Sequence, residues 1–201
     1  MKAHLKSEIK LGSFHQNIGT MFIANGKNFA KSNSFGARVK DHYRYWTWKQ
    51  LTDDILAFSC YLKTEGLHPS DKVCLISSNS YHRLVCEMAI MASGMVAVPI
   101  FPGYPFELMG ELIQFSDCKL LIIEGQEKIA TLAHLGHKYL PKKIIEMHQV
   151  SVALKTHCND SPEEMLKQWQ TVSADQCCLI MYTSGTTTFP KGVMLTHRNI
   201  L

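Results

Sequence analysis

Short apolar runs alternate with amphipathic segments along most of this 201-residue chain, and this alternation limits the possible folds more than any other pattern in it. The apolar runs predict strands at residues 72–77, 95–100, 119–123, 143–147 and 177–182. The segments between them predict helices at residues 80–91, 106–115 and 126–138. Because strands separated by helices pair in parallel and carry the helices on their faces, the sequence predicts an α/β fold with a mainly parallel sheet flanked by helices.

A clear helix start precedes the first of these strands. Thr47 followed three residues later by Gln50 is a capping box, in which each side chain accepts a hydrogen bond from the other residue's backbone N–H. The apolar residues that follow recur on one helical face, namely Leu51, Ile55, Phe58 and Leu62. Gly66 predicts the end of this helix, because glycine readily adopts the conformation that terminates helices.

Two further signals concern the last third of the chain. The polar residues 148–160 predict a loop or an insertion. Ser161, followed by Pro162 and then by Glu164, predicts the start of another helix, because proline is favoured at the first helical position and Glu returns to the cap.

The turn that follows the last of the five predicted strands, residues 183–192, combines several hydroxyl groups with a glycine and a lysine. Gly185 allows the backbone to approach a ligand, successive N–H groups can surround an anion, and Lys191 adds a compact positive charge. Pro190 and Gly192 stand where a Walker motif has a glycine and a hydroxyl residue, and residues 192–195 predict a strand rather than a helix. The sequence therefore predicts a phosphate-binding loop between two strands.

The spelling of residues 182–192, Tyr-Thr-Ser-Gly-Thr-Thr-x-x-Pro-Lys-Gly, resembles the phosphate-loop signature of the adenylate-forming (AMP-binding) superfamily. It is most similar to that of the long-chain fatty acyl-CoA synthetases. Weaker matches follow the family's order at residues 45–51, 67–73, 78–80, 89–94 and 98–102. Thr188 departs from the family, which nearly always has Gly there, and a left-handed backbone at this residue would cost about 1–3 kcal/mol.

The resemblance implies that the loop binds the phosphates of ATP, through Thr183, Ser184, Gly185, Thr186, Thr187, Thr188 and Lys191. In this family a carboxylate is joined to the α-phosphate of ATP, pyrophosphate leaves, and the thiol of coenzyme A then takes the acyl group. The expected enzyme is thus an acid–thiol ligase that uses a fatty acid, ATP and coenzyme A. No residue of this chain is expected to be catalytic or to bind a metal, and the ligands of Mg²⁺ are expected outside it.

The family's later motifs for adenine, ribose and catalysis do not occur in the chain, and residues 197–201 resemble a first helical turn, which is unstable alone. We therefore expect an incomplete N-terminal domain of an adenylate-forming enzyme. Residues 1–44 are expected to be an N-terminal extension and lead-in, and residues 45–201 the N-terminal part of an AMP-binding domain, truncated after the phosphate loop and inactive alone. The alternative is a non-catalytic remnant that binds a nucleotide or a partner, with a complementing chain at the sheet edge.

Composition restricts the partners and the location. A net charge of +4 without a dense basic cluster argues against nucleic-acid binding. Seven cysteines without a Cys-x-x-Cys pair, and no signal peptide, predict a reducing, cytoplasmic location. The apolar stretch 84–101 is interrupted by Glu87 and Pro99, so it predicts a helix followed by a strand and no transmembrane segment, which leaves peripheral membrane contact open.

Three smaller patterns have a functional and a structural interpretation. His197 is a candidate general base, but we expect it to contact the backbone at a helix start. Trp46 and Trp48 are candidates for stacking on adenine, but we expect them to pack in the protein. Two pairs share helix faces in the manner of metal ligands, His82 with Cys86 and His134 with His137, and we expect these to be ordinary helix faces.

Overall fold

The computed structural model of the protein describes residues 14–136, 140–155, 162–183 and 190–201. The strands within these residues are β1 Asn33–Val39, β2 His42–Thr47, β3 Lys72–Ile76, β4 Val96–Pro99, β5 Leu120–Ile123, β6 Lys143–Glu146, β7 Cys177–Thr183 and β8 Lys191–Thr196. The helices are α1 Ile18–Asn28, α2 Trp48–Thr64, α3 Tyr81–Ala92, α4 Phe106–Ser116, α5 Gln126–Leu135, α6 Met147–Ala153, α7 Pro162–Thr171 and α8 His197–Ile200.

Six of these strands form one sheet in the order β6-β5-β3-β4-β7-β8. The first five strands of that order are parallel, and β8 pairs antiparallel with β7 at the edge. The predicted α/β class with a mainly parallel sheet flanked by helices is confirmed. Parallel strands place their carboxyl ends on one edge of a sheet, and ligands bind at that edge in folds of this type.

Alternate residues of the central strands are buried on opposite faces of the sheet, as the two-residue period of a strand requires. Val73, Leu75, Leu120 and Ile122 belong to the apolar cluster that also contains residues of α1, α2, α3, α6 and α7. Cys74, Ile76, Leu121 and Ile123 belong to the cluster that contains residues of α4 and α5. The continuous apolar spelling of these strands therefore reflects burial on both sides.

Helix α2 starts as the capping box predicts. The Thr47 hydroxyl accepts a hydrogen bond from Gln50 N at 3.2 Å, and Gln50 Oε1 accepts one from Thr47 N at 2.9 Å. The predicted apolar face is buried: Leu51, Ile55, Phe58 and Leu62. The helix ends two residues before Gly66, which has a φ of 78° and thus the left-handed conformation that glycine adopts without strain.

The prediction of a loop at residues 148–160 is wrong for the first half of this segment. Helix α6 begins at Met147 and buries Val150, while residues 156–160 lie outside the described residues. Glu146 acts as the cap: its Oε2 accepts from His148 N at 3.0 Å, and Gln149 Oε1 accepts from Glu146 N at 2.9 Å. Glutamate is an unusual N-cap residue, so the start of this helix was not recognisable from the sequence.

The N-terminal quarter contains elements that the sequence analysis did not predict. Helix α1 buries Ile18 and Phe22 in the apolar cluster beneath α2. Strands β1 and β2 form a separate antiparallel hairpin. Trp46 of this hairpin stacks on Tyr81 at 4.1 Å between ring centroids, and Trp48 lies against Phe22, so both tryptophans pack as expected.

The apolar stretch 84–101 is confirmed as a helix followed by a strand, because α3 ends at Ala92 and β4 begins at Val96. Among the helices in the described part of the chain, none has the length and apolar character needed to cross a membrane.

Candidate functional site

The predicted phosphate-binding loop joins β7 to β8 at the carboxyl end of β7. Thr183 and Lys191 are the last pair in the register of these two strands, and the Thr183 hydroxyl donates to the Lys191 carbonyl at 3.4 Å. The structure therefore brings together the two ends of the loop. The remaining predicted phosphate-binding residues lie outside the described residues: Ser184, Gly185, Thr186, Thr187 and Thr188.

An open cavity of about 510 Å³ lies at the carboxyl ends of β3, β4 and β7. Its walls are residues 77–79 after β3, residues 99–102 and 104 around the end of β4, and Met181 and Tyr182 of β7. The cavity thus occupies the edge of the sheet at which ligands are expected in this fold.

Arg83 and Glu87 form a largely buried ion pair in the wall of the cavity. Arg83 Nη2 lies 3.6 Å from Glu87 Oε2, and the two side chains are only 16% and 18% exposed. Arg83 also donates through Nη1 to the Ser77 carbonyl at 2.9 Å. Burial raises the pKa of Glu87, and the guanidinium partly offsets this effect on the pKa. The sequence analysis missed this pair, although its spacing of four residues on a predicted helix was a usable signal.

Ser77 offers a polar group to the same cavity. Its hydroxyl is buried and has no hydrogen-bond partner among the described residues. Buried hydroxyls in proteins are almost always paired, so the unpaired Ser77 hydroxyl is an exception in this wall of the cavity.

Glu124, which directly follows β5, holds the turn after β3 in place. Its Oε2 accepts a hydrogen bond from the Ser78 backbone N–H at 2.7 Å, and this bond lowers the pKa of the carboxyl. The carboxylate is therefore ionised at neutral pH and fixes residues 77–79, which form one wall of the cavity. This role was missed because it depends on the pairing of two strands that are far apart in sequence.

Tyr182, the first residue of the loop signature, positions the end of β7. Its hydroxyl donates to the Leu112 carbonyl of α4 at 3.3 Å, and its ring lies 6.5 Å from that of Phe115. Burial raises the pKa of Tyr182 to about 12, so the hydroxyl stays protonated and remains a donor at neutral pH. The signature tyrosine thus anchors the loop to the helix layer.

His197 is not placed to act as a base at this site. It follows β8, whose six residues separate it from the loop by about 20 Å. It is buried, and its Nδ1 accepts a hydrogen bond from the Ile18 N–H at 3.3 Å. Burial lowers its pKa to about 4. The expected backbone contact is confirmed.

Potential metal ligands do not converge in the described parts of the chain, where no group of three His, Cys, Asp or Glu side chains is arranged to hold an ion. His137, one member of the second pair considered from the sequence, lies outside these parts.

Among solved structures, the fold is similar to the inhibitor-bound N-terminal domain of FACL13 from Mycobacterium tuberculosis. The TM-score is 0.77 at 22% identity, over 91% of this chain and 45% of that one. Identity at this level establishes the fold alone. The chain thus has the fold of that N-terminal domain.

Sequence comparison establishes the family. The family model described as AMP-binding enzyme matches residues 27–201. The chain is 31% identical over 181 residues to "Long-chain-fatty-acid--[acyl-carrier-protein] ligase AEE15, chloroplastic" of Arabidopsis thaliana, covering 77% of this chain and 24% of that protein. It is 32% identical over 186 residues to "Malonate--CoA ligase ACSF3, mitochondrial" of Bos taurus, covering 86% and 30%. The chain spans less than a third of the length of either relative. Because the family model matches most of the chain, the chain belongs to the AMP-binding enzymes.

Proposed function

We propose that this chain is the N-terminal part of an ATP-dependent ligase that activates a carboxylic acid as an acyl-adenylate. The observation that carries this proposal is the position of the end of β7, where the hydroxyl-rich turn begins: it lies at the carboxyl edge of a parallel sheet beside an open cavity. Membership of the AMP-binding family supports a nucleotide as the ligand.

Lys191 and the loop are proposed to hold the pyrophosphate that leaves ATP. The Lys191 ammonium supplies charge at the mouth of the loop, while Thr183, Ser184 and the following residues supply hydroxyl and N–H donors. Donors that are already in place when negative charge grows on the leaving group lower the barrier without further reorganisation. Mg²⁺ is expected to be held outside this chain.

The proposed acid is a fatty acid, and the proposed acyl acceptor is the thiol of coenzyme A. The loop spelling supports this choice, as do the names of the two relatives, one a long-chain-fatty-acid ligase and the other a CoA ligase. Those relatives are named as chloroplastic and mitochondrial proteins, so the cytoplasmic location expected from the sequence stays a prediction.

The ligase is favoured over a non-catalytic remnant because both relatives described above are named as ligases. A complementing chain at the sheet edge stays a prediction that no described contact supports. The predicted domain boundary between residues 44 and 45 also stays a prediction.

Replacing Lys191 by methionine is expected to weaken pyrophosphate binding about tenfold, because one charged contact to a phosphate is lost while the length of the side chain is kept. The measurement is isothermal titration of the chain with inorganic pyrophosphate and then with ATP. Lys142→Met is the matched control, since Lys142 is an exposed lysine next to β6, at the amino-terminal edge of the sheet. Equal affinity in Lys191→Met and the unchanged chain would remove Lys191 from the phosphate site.

The isolated chain is expected to show no ATP–pyrophosphate exchange with fatty acids, because the family's motifs for adenine, ribose and catalysis are absent from it. The assay follows labelled pyrophosphate into ATP across a series of chain lengths. Robust turnover by the chain alone would show that residues 1–201 contain a complete catalytic site and would overturn the assignment of catalysis to later segments. Turnover with another class of acid would replace the fatty acid in the proposal.

A further inference from the structure

The β1–β2 hairpin has an outer face that is not explained by the ligase site. Directly opposed residues of an antiparallel pair project to the same side, and here Arg38 opposes Tyr43 while Gly36 opposes Tyr45. Tyr43 and Tyr45 are 62% and 56% exposed. Arg38, Tyr43 and Tyr45, together with Lys40 of the turn, are called the tyrosine face below.

The two tyrosine rings are held in a fixed arrangement although they are exposed. The Tyr45 ring lies across Gly36, where an added Cβ would come within 2.8 Å of the ring carbon Cε1. The Tyr43 and Tyr45 rings are stacked, with centroids 6.2 Å apart and planes inclined by 24°. Neither hydroxyl is hydrogen-bonded to a described residue. The result is a flat surface of two aromatic rings whose phenol oxygens remain available to water or to a ligand.

The opposite side of the hairpin fixes its orientation. Phe35 and Trp46 pack on Tyr81, at 5.9 and 4.1 Å between ring centroids. The Tyr81 hydroxyl in turn donates to Asp54 of α2 at 2.6 Å. These contacts anchor the hairpin to α2 and α3, so that the tyrosine face points away from the protein.

The positive charge of the chain is concentrated around this hairpin. Residues 27–49 contain six basic residues and one acidic residue, a net charge of +5, whereas the full chain carries +4, so all other residues together carry −1. Four of the basic residues are exposed and make no ion pair with a described residue: Lys27, Lys31, Arg38 and Lys40. In contrast, Lys49 is paired with Asp53.

We propose that the tyrosine face docks this protein on an anionic lipid membrane. Tyrosine rings are favoured at the level of lipid headgroups because one end of the ring is apolar and the other is wet. Lysine and arginine beside them are attracted to the negative surface of phosphatidylserine-containing membranes. Aromatic insertion and charge attraction favour the same orientation on the membrane, so their contributions add. The proposal does not depend on the ligase activity.

The test measures how much of the complete chain sediments with vesicles of phosphatidylcholine, with and without phosphatidylserine. The measurement is made at low and at high salt. Binding is expected only with phosphatidylserine, and it should weaken at high salt because ions screen the charges. The double variant Arg38→Glu with Lys40→Glu should bind the anionic vesicles at least about tenfold more weakly than the unchanged chain. The double variant Tyr43→Ser with Tyr45→Ser should bind them about tenfold more weakly. Both pairs are exposed, so circular dichroism should show unchanged folding.

The matched control is the double variant Lys142→Glu with Lys155→Glu. Both lysines are exposed and lie outside the hairpin, and the control has the same net charge as the variant Arg38→Glu with Lys40→Glu. Its affinity for the anionic vesicles should stay within about threefold of the unchanged chain. An equal loss in the control would show attraction by net charge alone and would overturn the assignment to the tyrosine face. The absence of binding to phosphatidylserine vesicles, or tighter binding to single-stranded RNA than to vesicles, would also overturn it.

Discussion

Replacement of Asn17 by alanine is expected to lower the free energy of unfolding by about 3 kcal/mol. Asn17 is fully buried and caps α1, where its Oδ1 accepts a hydrogen bond from Thr20 N at 2.9 Å. Its Nδ2 donates to the carbonyls of Trp169 at 2.9 Å and of Val172 at 2.7 Å. Alanine removes the cap and also the Asn17 donor to both carbonyls, of which that of Val172 keeps a second donor, Gln16 Nε2 at 3.3 Å, so the two losses add.

Asn17→Asp separates these two effects. Aspartate is as good an N-cap as asparagine, so a change that acted only on the cap would be nearly neutral. A carboxylate has no N–H, however, and would face the two carbonyls as a buried negative charge. We therefore expect Asn17→Asp to be destabilised at neutral pH by at least about 2 kcal/mol.

Urea unfolding followed by circular dichroism measures both changes, with Asn28→Ala as the control. Asn28 is an exposed residue at the other end of α1, and its removal should change the free energy of unfolding by less than about 0.5 kcal/mol. If Asn17→Asp were as stable as the unchanged chain, the bonds from Asn17 to the carbonyls of Trp169 and Val172 would contribute nothing to stability.

Acidification from pH 7 to pH 5 is expected to lower the free energy of unfolding by about 2 kcal/mol through His197 alone. Burial lowers the pKa of His197 to about 4 in the folded protein, whereas the ordinary value is 6.5. The unfolded chain therefore binds a proton in this range while the folded protein does not. The stabilising contribution is complete above pH 6.5 and is lost progressively as the pH falls towards 4. Protonation of Nδ1 would also break the hydrogen bond from Ile18 N–H.

His197→Asn keeps a hydrogen-bond acceptor but cannot take up a proton. Between pH 7 and pH 5, the free energy of unfolding of this variant should therefore fall by about 2 kcal/mol less than that of the unchanged chain. Unfolding curves at pH 7, 6 and 5 provide the comparison. The control is His68→Asn, at an exposed histidine that makes no ion pair with a described residue. Glu87, whose pKa burial raises, titrates in all three proteins, so its effect on the comparison cancels. Parallel curves for the unchanged chain and His197→Asn would contradict the prediction.

Asn17 and His197 act at the same junction. Asn17 ties the start of α1 to the end of α7, and His197 at the start of α8 accepts from the next residue of α1, Ile18. Residues 1–44 were expected to be an extension because the resemblance to the family begins at about residue 45. Helix α1 nevertheless shares the apolar cluster of the main sheet. Its place is determined by hydrogen bonds across more than 150 positions of sequence, which no local pattern reveals.

The local elements were determined by the sequence itself. The capping box at Thr47, the apolar face of α2 and the buried strands arise from interactions among residues a few positions apart, and such patterns can be read along a chain. The same is true of the turn after β7, whose residue types indicate a phosphate ligand without any knowledge of its neighbours.

Only the tertiary structure decided which distant residues meet. The order β6-β5-β3-β4-β7-β8 brings Glu124 to the Ser78 backbone and places the end of β7 beside the wall that contains Arg83. The cavity and the outward direction of the β1–β2 hairpin also depend on that packing. The physical reason is that burial and hydrogen bonding select among many strand orders and helix positions that satisfy the same local patterns, and that selection is made by contacts between segments far apart in sequence.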